Sequence, residues 1–111
     1  MTVTVSAAID AKVADRAMLS HPFYQAWTEG RLPLDTLRDY ARQYFHHVEA
    51  FPRAVSPVHS ACPARDGRRM LAENLAEEEG SEAGKQDHAS LWMMFACELG
   101  ESEDAVRGQA L

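Results

Sequence analysis

Apolar residues return every three or four positions along most of this chain, which commits it to amphipathic helices and leaves little room for a sheet. Ile9, Val13 and Ala17 follow that spacing, as do Leu37, Ala41, Tyr44, Phe45 and Val48, then Leu71 and Leu75, then Leu91, Trp92, Phe95 and Leu99. The only strict alternation, Thr2-Val3-Thr4-Val5, is short and terminal. Punctuation then sets the expected segments. A first helix covers about 6–19 with Ser6 as a possible cap, and Pro22 starts a short one that carries Phe23, Ala26 and Trp27 and stops at Gly30. The next opens after Leu32-Pro33 and runs out at Phe51-Pro52, because proline removes an amide donor and disfavours helix at the residue before it. A separate short helix is expected over 53–61, disturbed by Pro57, and longer ones over 66–79 and 87–99, with Gly80–Gly84 as their link. Trp27, Tyr44, Leu71, Leu75, Trp92 and Phe95 are the expected large buried side chains.

Two polar residues sit on these apolar stripes. Glu78 shares a face with Leu71 and Leu75, and His88 shares one with Trp92, Phe95 and Leu99. A carboxylate and an imidazole on the inner faces of consecutive helices can meet in one interior spot, where a carboxylate is costly unless paired or metal-bound. The plainer alternative is also open. Glu77-Glu78-Glu79 reads as a solvated acidic run, and Asp87 reads as an N-cap beside which His88 closes the first turn.

Composition narrows the classes. The 111 residues make one domain's worth of chain, read as a single helical domain over 1–111, with 46% hydrophobic residues and a net charge of −6. Arg65, Arg68 and Arg69 form the only basic cluster, and acidic residues follow it, which argues against nucleic acid. No apolar run approaches the roughly 20 residues of a membrane span. Without a basic start leading into an apolar core, and with Cys62 and Cys97 outside any framework spacing, the expectation is a cytoplasmic protein with reduced thiols.

The stretch from His21 to Gly100 resembles the haem-oxygenase-like all-helical superfamily that holds the TenA, PqqC and CADD-like proteins. The residues that carry the resemblance are His21-Pro22-Phe23-Tyr24 with Trp27 and Glu29-Gly30-Arg31-Leu32, then Tyr40 through Pro52. Asn74-Leu75-Ala76-Glu77-Glu78-Glu79-Gly80 and His88 with Leu91-Trp92 complete it. The resemblance implies an all-α multi-helix bundle, here its N-terminal half. It is strongest to the CADD-like branch, whose members bind two irons and activate dioxygen, one activity being p-aminobenzoate formation from a tyrosine of the protein itself. That branch takes its first two metal ligands from positions matching Glu78 and His88. PqqC, which works without metal, has His where Glu78 stands.

The resemblance thus implies a non-haem di-iron oxidase or oxygenase using dioxygen on a small molecule or on its own tyrosine, with Tyr24 at the position of the tyrosine near the metals. The family completes its ligand set with a further Glu and a His-x3-Asp-x2-His pattern from the second half of the fold, which this sequence does not supply, so the chain alone is expected to be inactive. A metal-free TenA- or PqqC-like enzyme keeps the fold and drops the iron. A non-catalytic helical subunit is a third reading. Half a bundle must cover its open face, so a homo-oligomer or a second completing chain is expected.

Other residues remain open. Tyr40, Tyr44, His47 and Phe51 fall on one side of their helix, as a substrate-pocket wall or as boundary packing. His46 is expected on the surface, and Glu49 is expected as a surface charge within reach of Arg53. Glu101–Asp104 reads as the start of a helix with little chain after it, which suggests a truncated polypeptide.

Overall fold

The computed structural model describes residues 2–80 and 84–111, and among these all regular structure is helical, with no strand. Part of the expected Gly80–Gly84 link, residues 81–83, lies outside the described residues. The chain divides into two compact units, residues 1–33 and 34–111. No described helix is long and apolar enough to cross a membrane.

In the first unit, α1 (Val5–Asp15) is shorter than the periodicity suggested. Thr4, not Ser6, caps it, its hydroxyl accepting from the Ala7 amide at 3.1 Å. The helix stops at Asp15, and a 3-10 turn over Met18–Ser20 follows, where the Ser20 hydroxyl donates back to the Ala17 carbonyl. No residue of α1 is buried. The second helix, α2 (Pro22–Thr28), begins as expected with Pro22 in its first turn and His21 Nδ1 accepting from the Phe23 amide. It ends on Gly30, whose φ of +69° lets the Gly30 and Arg31 amides return to the Trp27 and Ala26 carbonyls.

The second unit is organised on α3 (Leu34–Ala61), a single 28-residue helix. This corrects the expected stop at Phe51-Pro52 and the separate helix over 53–61: Pro52 and Pro57 both lie inside α3. Each proline deprives one carbonyl a turn earlier of its partner. Tertiary packing outweighs that loss, since the Pro52 ring and Val55 are buried where other helices close on α3. After a three-residue turn comes α4 (Arg65–Glu79), and Arg68 donates to the Cys62 and Pro63 carbonyls, covering acceptors left at the end of α3. Then follow α5 (His88–Glu98) and α6 (Glu103–Arg107), both packed on α3.

The core of this unit joins Ala41 and Phe45 of α3 to Met93 and Ala96 of α5 and Val106 of α6. Alanines at the crossing let the α3 and α5 backbones approach, and as a result α5 is turned relative to the expected stripe. Met93 and Ala96 face inward while Leu91 is 48% exposed. Trp27, Leu71, Leu75, Trp92 and Phe95 are only partly buried, and Tyr44 is 37% exposed, so the expected list of large buried residues is corrected. The helix foreseen at 101–104 forms as α6, capped by the Ser102 hydroxyl, and it packs Val106 fully into the core. Arginines on α3 hold the turn before it. Arg38 donates to the Leu99 carbonyl at 2.6 Å, and Arg42 reaches both Glu101 (2.5 Å) and Gln109 (2.9 Å).

Burial predicts where truncation costs stability. Val106→Ala should destabilise the chain by about 2 kcal/mol through lost packing and a residual void, whereas Ile9→Ala, on exposed α1, should stay within about 0.5 kcal/mol. Urea unfolding followed by circular dichroism checks both, and an equal response at the two sites contradicts the packing order.

Candidate metal centre

A glycine brings the two conspicuous polar residues together. Gly80 ends α4 in the left-handed region, φ +70°, with its amide returning to the Ala76 carbonyl at 2.9 Å. A Cβ there would meet the Asp87 amide and the Lys85 carbonyl oxygen at 2.7 Å each. Only a residue without a side chain lets the returning strand of chain pass this close to the end of α4. That crossing carries Asp87 and His88 back beside the last turn of α4, where Glu78 stands.

Asp87 then fixes the register of α5. Its carboxylate accepts from the Ser90 amide at 3.0 Å and from the Ser90 hydroxyl at 2.6 Å. Those two hydrogen bonds, with a smaller contribution from neighbouring His88, hold the Asp87 carboxyl below the usual carboxylate range. His88 is thereby placed as the first residue of α5, and its Nδ1 lies 3.0 Å from Glu78 Oε2. Glu78 is 12% exposed at its side chain and His88 44%. The carboxylate is therefore largely covered, as its place on the stripe suggested. The imidazole is half in solvent, unlike the fully interior position expected for it.

This separation suits a direct hydrogen bond. It also suits two ligands of one ion, since donors about 2.1 Å from a metal and at right angles to each other lie about 3 Å apart. A carboxylate oxygen and an imidazole nitrogen fit a divalent iron site chemically. Among the described residues no third His, Cys, Asp or Glu joins them to complete a metal-binding group. Glu78 also borders a cleft of about 460 Å³ floored by Phe45, Val48, Pro52 and Met93. At the rim of this cleft Glu49 pairs with Arg107 of α6 (3.6 Å), correcting the expected partner Arg53, and the Arg107 guanidinium lies 5.4 Å over the Phe45 ring.

The residues on this side of α3 form a ladder of rings. Tyr40 stacks on Tyr44 at 5.1 Å, Tyr44 lies 5.0 Å from His47, and His47 lies 5.7 Å from Phe51. Trp92 of α5 closes on it, with its indole N–H donating to the Ala41 carbonyl at 2.8 Å. Burial, and then the neighbouring Tyr44, push the Tyr40 phenol above its ordinary range. Tyr40, Tyr44 and His47 line an open concavity of about 510 Å³ together with His46 and Leu111. His46, expected on the surface, has its Nε2 buried without a hydrogen-bond partner among the described residues. Its place beside, rather than on, the apolar stripe gave no sign of this. Tyr24 belongs to the first unit, half-buried on α2 with Trp27 and Thr28 beside it.

Comparison with known proteins gives a consistent picture. The model of the TENA/THI-4/PQQC family matches residues 7–109. The chain is 43% identical over 98 residues to a 4-aminobenzoate synthase of Chlamydia pneumoniae, covering 88% of this chain and 42% of that protein. It is 40% identical to a 4-aminobenzoate synthase of Nitrosomonas europaea, covering 98% of this chain and 46% of the relative, and 37% identical to one of Chlamydia trachomatis. The chain thus spans less than half the length of the curated relatives it matches.

The Asp87 cap makes α5 pH-sensitive in a stated direction. Because the folded carboxyl titrates below its unfolded value, the stability it contributes is complete above the unfolded carboxylate range and is lost as pH falls through the folded one. Asp87→Ala should cost about 1 kcal/mol at neutral pH. Asp87→Asn should keep most of the cap and lose this share of the acid sensitivity, which denaturant melts between neutral and acidic pH will show.

Proposed function

Because the chain belongs to the TENA/THI-4/PQQC family, we propose that it forms part of a non-haem iron oxidase or oxygenase of the p-aminobenzoate-forming type. Glu78 and His88 would contribute to the metal site. The observation that carries this is the 3.0 Å approach of a largely covered carboxylate to an imidazole, at two positions that the family resemblance also singles out. Bound iron would supply dioxygen activation.

The chain's own residues supply the rest of the reading. Glu78 brings a negative charge that offsets that of the cation, and Gly80 keeps the carboxylate and the imidazole at contact distance. Asp87 sets the start of the helix and so the direction from which the His88 ring enters. Tyr40, Tyr44 and His47 present a ring wall suited to a small organic substrate, and Tyr24 is the candidate for a tyrosine that itself reacts. With one carboxylate and one imidazole in hand, the remaining ligands would come from a second polypeptide or from residues outside these 111. Half-exposed Leu91, Met94 and Val58 favour such a covering partner or a second copy of this chain.

Anaerobic equilibrium dialysis against ferrous iron tests the metal assignment. Glu78→Ala and His88→Ala should each abolish the iron retained by this pair with helicity unchanged. Equal iron in either variant contradicts it. Sedimentation of the chain tests the partner, with self-association or capture by a completing chain expected and a compact, cooperatively melting monomer contradicting it.

A further inference from the structure

Two exposed apolar surfaces of the chain carry charges of opposite sign, and their residues run in the same order. The first is on α1. None of its residues is buried, and Val5, Ile9, Val13 and Met18 line an open groove of about 690 Å³ together with Lys12 and Arg16. Val5 is 77% exposed, Val13 63% and Met18 66%. An 11-residue helix is marginal in water on its own, so apolar residues left open along its whole length need a cover. The second surface is on α5. There Leu91, Met94 and Glu98 (i, i+3, i+7) form one exposed ridge on the side away from buried Met93 and Ala96. Among the described residues Lys12, Arg16 and Glu98 make no ion pair.

We propose that the α1 groove of one copy of the chain seats the α5 ridge of a second copy. The order of residues fixes the direction. Ile9 to Arg16 and Leu91 to Glu98 each span about two turns. With the two helices running the same way, Leu91 and Met94 lie on Val5, Ile9 and Val13, and Glu98 comes beside Lys12 and Arg16. Run the other way, the carboxylate would lie over apolar Val5 and Ile9 and leave both cations unmatched. A single contact between helices of three turns is small beside the roughly 1,200 Å² at which stable interfaces begin. A two-fold pair makes the contact twice, α1 of each copy on α5 of the other, and that is the arrangement proposed. A lipid surface fits less well, because Asp10 and Asp15 cancel Lys12 and Arg16 along the same helix. The proposal rests on the second copy put forward above, names the surfaces it uses, and involves no iron.

Sedimentation equilibrium of the whole chain, without metal and at low ionic strength, tests this by charge exchange. A reversible dimer is expected. Lys12→Glu with Arg16→Glu should weaken it by about tenfold or more, since each change acts twice in a two-fold pair and sets like charges against each other. Glu98→Lys should do the same. The three substitutions together should restore the dimer to within a few-fold of the original. All three positions are exposed, so circular dichroism should show the same helicity in every variant. A dimer that neither reversal weakens overturns the proposal. Loss in both with no recovery in the combination also overturns it and puts the partner surface elsewhere. Flotation of the chain on vesicles of phosphatidylserine and phosphatidylcholine, abolished by Lys12→Glu with Arg16→Glu, would assign α1 to a membrane instead. A chain that stays monomeric overturns the interface, while iron retained by that monomer, or its capture of a completing chain, keeps the functional reading. A dimer that obeys the charge exchange but holds no iron upholds the interface and counts against the metal reading alone.

Discussion

Three helices pack on one helix, α3, which continues through two prolines. Phe45 and Ala41 on its first half receive α5 and α6, and the buried Pro52 and Val55 lie where its second half is covered. Had the chain broken at Phe51, α4 would hang from a hinge instead of packing on a continuous α3. An interior proline costs on the order of 3 kcal/mol in an isolated helix. The Pro52 ring buries apolar surface that partly offsets its missing hydrogen bond, whereas Pro57 is exposed. The rigidity of α3 is therefore a consequence of packing, not of the local sequence.

On that frame a few close approaches do the positioning. Gly80 lets the backbone entering α5 pass within van der Waals contact of the end of α4, and Asp87 then clamps the first turn of α5. At the far end of α5, Gly100 turns with φ +100° and the Glu101 amide returns to the Ala96 carbonyl, while Arg38 and Arg42 tie this turn to α3. Both ends of α5 are pinned, so His88 and Trp92 hold fixed positions on one face. The same helix thus serves the Glu78 contact and the aromatic cluster.

Periodicity and punctuation made much of this legible. The all-helical class, the Gly30 stop and the Asp87 cap follow from residue spacing and local chemistry, and spacing put Glu78 and His88 on apolar stripes without deciding whether they meet. What stayed hidden depended on distant neighbours. The proline rule describes an isolated helix and could not anticipate the packing that keeps α3 whole. The inward turn of Met93 and Ala96 in place of Leu91 comes from the small residues that let α3 and α5 approach, a property of two helices together. The buried Nε2 of His46 is likewise signalled by no pattern within α3. The family resemblance added the chemistry that spacing alone left open between a solvated acidic run and a ligand pair.

Nuclear magnetic resonance of the imidazole protons during a ferrous iron titration tests whether Glu78 and His88 form one metal-binding corner. The paramagnetic ion broadens first the ring it binds, and it does so even when binding is weak. If the two side chains share the ion, His88 broadens ahead of His21, His46, His47 and His59, and Glu78→Ala removes this priority while the His88 resonance stays otherwise native. His88 broadening no sooner than the other four histidines, or broadening equally with Glu78 replaced, would contradict it and return the pair to an ordinary hydrogen bond at the end of a helix.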